Sequence, residues 1–131
     1  MKKIIIYLLV LLSFTLSFSR ETQSLEKEEK EKYLKLAADS GNIEAQNNLG
    51  VLYAQQNKYK LAEKYWKLAA ASGNIEAQNN LGVLYVQQNK YELAEKYLKL
   101  AADAGNRDAR DNLAKLYYRQ NKHDLVKKYL K

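Results

Sequence analysis

The chain has 131 residues, of which 47% are hydrophobic and 28% charged, with a formal net charge of +7. That length gives room for one domain, and the balance suits a folded chain, not a disordered one. The absence of Cys and Pro and the presence of only five Gly exclude disulfides, thiolate metal sites, a cysteine nucleophile and a lipoprotein anchor, and argue against a turn-rich β-sandwich.

Residues 1–19 have the layout of a signal peptide. Lys2 and Lys3 form a basic start, and an apolar run from Ile4 to Phe18 is interrupted only by Ser13, Thr15 and Ser17. Ser17 and Ser19 then supply small residues at the −3 and −1 positions of a cleavage site, which makes Arg20 the first mature residue. The expected location is periplasmic or extracellular. The alternative is a membrane tether made by an uncleaved signal. The run is shorter than the ~20 apolar residues that a spanning helix needs, which favours cleavage.

Residues 20–40 form a leader and a first capping helix. The Glu26–Lys32 run is the solvated face of that helix, with room for i,i+4 ion pairs. From here on a 32-residue period governs the chain: Gly41, Gly73 and Gly105 follow it, as do Leu49, Leu81 and Leu113, and Tyr33, Tyr65, Tyr97 and Tyr129. Residues 41–72 form repeat 1, 73–104 repeat 2, and 105–131 a truncated repeat 3. Repeats 1 and 2 differ only at Ala54/Val86, Lys60/Glu92, Trp66/Leu98, Ala71/Asp103 and Ser72/Ala104.

Each repeat holds two helices. Helix A is expected from Ile43 to Gln56 with a stripe of Ala45, Leu49, Leu52 and Tyr53. Helix B is expected from Lys58 to Ala71 with a stripe of Leu61, Ala62, Tyr65, Leu68 and Ala69. Both stripes follow helical spacing. Gly41, Gly73 and Gly105 suit a left-handed helix end, and Asn42, Asn74 and Asn106 suit an N-cap of helix A. Asn57 and Asn89 are expected to cap helix B, with Glu92 completing a capping box. No helix pair can bury its stripe alone, so the pairs stack. The fold class is all-α, an α-solenoid of antiparallel helix pairs with about seven helices in the mature chain.

The string from Gly41 to Tyr53, followed by Ala62, Tyr65-Trp66 and Lys67-Leu68-Ala69-Ala70, resembles the Sel-one-like repeat, a relative of the tetratricopeptide repeat. The resemblance covers about residues 25–131. Departures are the short 32-residue period, Ala114 where Gly50 and Gly82 stand, and the lack of the Cys that staple the family's secreted branch.

By that resemblance helix A lines a concave, partner-binding face. Its positions off the packing stripe are Glu44, Asn47, Asn48, Val51, Ala54 and Gln55 in repeat 1, and Glu76, Asn79, Asn80, Val83, Val86 and Gln87 in repeat 2. In repeat 3 they are Asp108, Asp111, Asn112, Lys115, Tyr118 and Arg119. An Asn amide can pair with a backbone peptide group of an extended ligand, a use the resemblance also implies. Equally open is a structural role, in which Asn48, Asn80 and Asn112 tie one repeat to the next.

Residues 20–104 carry 12 basic and 12 acidic groups, whereas residues 105–131 carry 8 basic and 3 acidic. The C-terminal end is thus either a solubilising cap or a face for an anionic envelope component. No nucleic acid, cofactor or metal is expected. His123 is the only His and replaces Tyr59 and Tyr91 of the earlier repeats, which suits solvent or packing better than metal or catalysis.

The expected function is an exported protein-interaction scaffold that holds a peptide or protein in its groove, not an enzyme. One alternative is a β-lactamase-type hydrolase, since some secreted relatives carry that description. Its support is Ser24-Leu25-Glu26-Lys27 alone, without Lys-Thr-Gly or Ser-Asp-Asn. The other alternative is a structural envelope or immunity-type protein with no fixed ligand.

Overall fold

Nothing between Lys2 and Asp39 can break a helix, because the segment holds neither Gly nor Pro. In the computed structural model, which describes residues 1–130, that segment is one 38-residue helix, α1 (Lys2–Asp39). Six shorter helices follow: α2 (Ile43–Gln55), α3 (Tyr59–Ala71), α4 (Ile75–Gln87), α5 (Tyr91–Asp103), α6 (Arg107–Arg119) and α7 (His123–Leu130). No strand occurs among the described residues. Helices α2, α4 and α6 are the A helices, and α3, α5 and α7 the B helices.

Two units are distinguished by their contacts, Met1–Tyr33 and Leu34–Lys131. In the first, α1 exposes Ile4, Leu8, Leu11, Phe14 and Phe18. Its apolar stretch has a mean hydropathy of 1.7 over an 18-residue window, enough by length and composition to cross a membrane; an N-terminal signal sequence meets the same criteria. The hydroxyls of Ser13, Thr15 and Thr22 donate to the carbonyls of Val10, Leu12 and Ser19 at 2.8–2.9 Å. The polar interruptions of this helix are thus satisfied by its own backbone.

In the second unit the 32-residue period becomes a stack of helix pairs, each packed on its sequence neighbours. On every A helix the expected stripe is buried: Leu49, Leu81 and Leu113 lie at 0% exposure, with Tyr53, Tyr85 and Tyr117 beside them. The B stripe departs from expectation. Leu61 and Leu68 are exposed, as are their repeats Leu93 and Leu100, while Ala62, Tyr65, Trp66, Ala69 and Ala70 are buried. At 100° per residue, Trp66 and Ala70 lie within one arc of Ala62, whereas Leu61 and Leu68 fall outside it. The inward arc is centred on the small residues, which let α2 and α3 approach closely.

The turns between helices are all of one kind. After α2, Lys58 N–H donates to Tyr53 C=O (2.9 Å) and Asn57 N–H to Ala54 C=O (3.0 Å). After α1, Asn42 N–H donates to Ala37 C=O (3.1 Å) and Gly41 N–H to Ala38 C=O (3.0 Å). Both are Schellman ends, which require one left-handed residue. Gly41, Gly73 and Gly105 take that conformation, with φ between +88° and +97°. So do Asn57, Asn89 and Asn121, with φ of +57° to +59°. This corrects the expectation that Asn57 and Asn89 cap helix B. Lys58 and Lys90 occupy those cap positions and make no side-chain cap bond, so the Glu92 capping box does not form either. The caps expected of helix A are present: Asn42, Asn74 and Asn106 accept the backbone N–H of Ala45, Ala77 and Ala109 at 2.7–2.8 Å.

A candidate docking groove along the A helices

Repeat-to-repeat cohesion uses up some of the polar side chains expected in the groove. Asn47 is 3% exposed. Its Nδ2 donates to Glu76 Oε2 (3.1 Å), and its Oδ1 accepts from Asn80 Nδ2 (3.3 Å). One repeat on, Asn79 Oδ1 accepts from Asn112 Nδ2 (3.2 Å). Trp66 Nε1 donates to the Asn47 backbone carbonyl (3.2 Å). The amides of Asn47, Asn79, Asn80 and Asn112 therefore form a ladder that joins successive A helices. Asn48 is exposed. It occupies the donor position of the same column, in the first A helix.

A second set of bonds runs from tyrosines back to carboxylates of earlier helices. Tyr85 OH donates to Glu63 Oε1 (2.7 Å) and Tyr117 OH to Glu95 Oε1 (3.0 Å). Tyr65 OH donates to Asp39 Oδ1 (3.0 Å) and Tyr129 OH to Asp103 Oδ1 (3.5 Å). Burial and these bonds push the Tyr65 hydroxyl up to about 12, and raise Tyr85, Tyr117 and Tyr129 as well. At Glu63, burial raises the carboxyl, but the Tyr85 hydroxyl and the Lys67 ammonium at 3.0 Å outweigh it and leave it below its ordinary value. Tyr65, Tyr85, Tyr117 and Tyr129 are thus buried ties between helices.

The A helices keep a second face, and there two cavities open between successive repeats and one within repeat 3. The first, about 220 Å³, lies where Ala54, Tyr59 and Trp66 of repeat 1 meet Asn80, Val83, Leu84 and Gln87 of repeat 2. A second, about 140 Å³, is bordered by Val83, Val86 and Gln87 of repeat 2 and Asn112, Lys115, Leu116 and Arg119 of repeat 3. A third, about 390 Å³, lies between α6 and α7, with Asp111, Ala114, Lys115, Tyr118, Arg119, Val126 and Leu130 around it. Gln87 borders the first two, and Lys115 and Arg119 border the second and third.

Of the residues expected in the groove, Ala54, Asn80, Val83, Val86, Gln87, Asp111, Asn112, Lys115, Tyr118 and Arg119 meet at these cavities. Glu44, Asn47, Asn48, Val51, Gln55, Glu76, Asn79 and Asp108 lie outside them. Val51 is half-buried against the core, and Glu44, Gln55, Glu76 and Asp108 are exposed. Sequence reasoning did not place Tyr59, Trp66, Val126 or Leu130 at this face. The usable signal was the paired change Ala54/Val86 and Trp66/Leu98. Where the A helix carries the smaller residue, the neighbouring B helix carries the larger ring. The face is chemically graded: Ala54 with the rings of Tyr59 and Trp66 in repeat 1, valines and amides in repeat 2, and cations with a tyrosine in repeat 3.

The tetratricopeptide-repeat family model matches residues 43–72 and 75–105. The structure is also similar to the crystal structure of a protein of Klebsiella pneumoniae subsp. pneumoniae described as a sel1 repeat protein, with a TM-score of 0.60 and 25% identity over 66% of this chain. This is a tetratricopeptide/Sel1-like helical repeat protein. Such repeats commonly serve as protein-interaction scaffolds and are typically non-enzymatic. The tetratricopeptide-like fold is seen too in BtubC from P. vanneervenii, with a TM-score of 0.64 and 21% identity over 79% of this chain. The chain spans 43% and 52% of the lengths of these two proteins. No curated protein matches the sequence.

Proposed function

We propose that this protein is an exported, non-catalytic scaffold that holds a peptide or protein partner along the cavity-bearing face of its A helices. One observation carries this: consecutive cavities share Gln87, Lys115 and Arg119 as common walls, so a single bound segment could engage all of them. Apolar sites with a few placed polar groups suit side chains of a partner, and Val83, Val86 and Trp66 supply the apolar part. The partner's backbone would be met by Gln87, which is exposed and can both donate and accept. Export has separate support in Lys2 and Lys3, the apolar helix behind them, and the small residues Ser17 and Ser19.

Crosslinking of the native protein in envelope extract, followed by mass spectrometry, identifies the partner and its contact residues. Gln87→Trp fills the walls of the two inner cavities from an exposed position. Capture is expected to fall while the melting temperature holds. Equal capture by Gln87→Trp and the native chain would remove the A-helix face from consideration. Trp66, the only tryptophan, supplies a fluorescence signal at the first cavity and is expected to respond when the partner binds. The secreted product is expected to begin at Arg20; a mature product retaining Met1 would mean a tethered protein.

A further inference from the structure

Trp66 lies against Gly50 of its own repeat and beside Asn80, Val83 and Gln87 of the next, and Leu98 lies against Gly82; they are 6% and 0% exposed, whereas Leu130, their counterpart one period on, is 64% exposed. Around it, Ala114 and Val126 stand where Gly82 and Ala94 stand in repeat 2, and Tyr118, at 66% exposure, stands where Val86 stands. The 390 Å³ cavity between α6 and α7 is therefore the same seat that, inside the array, receives the next A helix.

Three substitutions change what this seat would accept. Asp111 replaces Asn79, so the end of the amide ladder is a carboxylate that only accepts. Lys115 and Arg119 replace Val83 and Gln87, so its outer wall is cationic.

We propose that this seat docks an amphipathic helix from a protein partner, with an apolar stripe on Val126 and Leu130, a hydrogen-bond donor facing Asp111, and carboxylates facing Lys115 and Arg119. The occupant follows from continuity with the interior. The helix that fills the preceding seat, α6, sends Asn112 Nδ2 to Asn79 Oδ1 (3.2 Å) and places its residues 115 and 119 beside Val83 and Gln87. A docked helix in the same register sends a donor to Asp111 and places its own equivalents of 115 and 119 against the two cations. Interior seats contain no such charge pair, so acidic residues at those two positions select this seat. The inference rests on the scaffold reading but concerns only its last unit.

A labelled peptide with the sequence of α4, Ile75–Gln87, carrying Glu76→Gln, Val83→Glu and Gln87→Glu, reproduces that register and keeps Asn80 as the donor. Fluorescence anisotropy is measured against the full chain in neutral detergent. The acidic peptide is expected to bind at least about tenfold more tightly than the same peptide with Lys at 83 and 87, a difference of ~1.4 kcal/mol. Leu130→Ser is expected to weaken it by a similar factor, and Lys115→Glu with Arg119→Glu to reverse the preference. All three positions are exposed, and unchanged circular dichroism confirms that the variants fold. Equal binding of both peptides, no effect of Leu130→Ser, or equally tight binding of polyglutamate would overturn the proposal. Gln87→Trp lies outside the seat and is expected to leave peptide binding intact, so failure of the inner groove and failure of the seat give different results.

Discussion

The indole of Trp66 lies directly against Gly50, so close that a methyl group added at Gly50 would overlap the ring. Gly82 stands in the same relation to Leu98. In a helix interior Ala is favoured over Gly by ~1 kcal/mol, but overpacking a core costs ~1–3 kcal/mol. Leu98 can turn its branched end aside. The Trp66 ring is rigid and held by its bond to the Asn47 carbonyl. Both changes are therefore expected to destabilise: Gly50→Ala by ~1–3 kcal/mol, and Gly82→Ala by less, because the Leu98 side chain can yield although its backbone N, 3.2 Å from the added methyl, cannot. Thermal melts check this, and Trp66→Leu in the Gly50→Ala background should recover much of the loss.

Asn47 joins three elements: it donates to Glu76, accepts from Asn80, and its backbone carbonyl receives Trp66. Asn47→Ala strands the Asn80 amide and is expected to cost ~1–3 kcal/mol. Asn48→Ala, one residue along and exposed, should be within about 0.5 kcal/mol of native. Urea melts of the pair decide whether the amide column is structural. A variant at Asn79 would thus report on stability before it reported on binding, which is why Gln87 is the better probe of the groove.

A one-residue difference between repeats predicts a gain. Tyr65 reaches Asp39 and Tyr129 reaches Asp103, but the corresponding position for Tyr97 is Ala71. Ala71→Asp supplies that acceptor. The new bond is worth ~1 kcal/mol, reduced by ~0.3–1 kcal/mol because an anion at a helix C-terminus opposes the dipole. A rise in melting temperature with an upward shift of one tyrosine titration is the expected signature; a lower melting temperature would count against the alignment.

Stability should decline at both pH extremes for different reasons. Glu63 is held below its ordinary value of 4.5 in the fold, so its contribution is present above that value and is lost as pH falls through the lower, folded one. The buried tyrosines are raised above 10.0, Tyr65 to about 12. Their contribution is intact below pH 10 and disappears as pH rises through the raised values. Glu63→Gln is expected to flatten the acid limb and, because the Glu63 carboxylate helps raise the Tyr85 hydroxyl, to reduce the Tyr85 share of the alkaline limb as well. Following helicity and tyrosinate absorbance together on the alkaline limb should show the buried hydroxyls ionising only as helicity falls.

Asn57, Asn89 and Asn121 hold left-handed conformations that cost most residues ~1–2 kcal/mol. Asn57→Gly is expected to be neutral or slightly stabilising, and Asn57→Ala to lose ~1 kcal/mol. If Asn57 acted as an N-cap instead, both changes would weaken α3, and the Gly variant would show it.

Period, helix number, the A-helix stripe and the Asn caps of helix A were legible in the sequence because each is set by local chemistry: spacing within a turn, or one side chain meeting a backbone group three residues away. The inward arc of helix B was not, because Leu61 and Trp66 have similar claims to burial until the neighbouring repeat decides which one is covered. Nor could the sequence separate groove from ladder among the asparagines. Asn47 and Asn48 are adjacent and chemically identical, and only the distance to Glu76 and Asn80, 29 and 33 residues away, assigns one to cohesion and leaves the other in solvent. Packing between repeats made those choices, since burial belongs to pairs of surfaces and not to either surface alone.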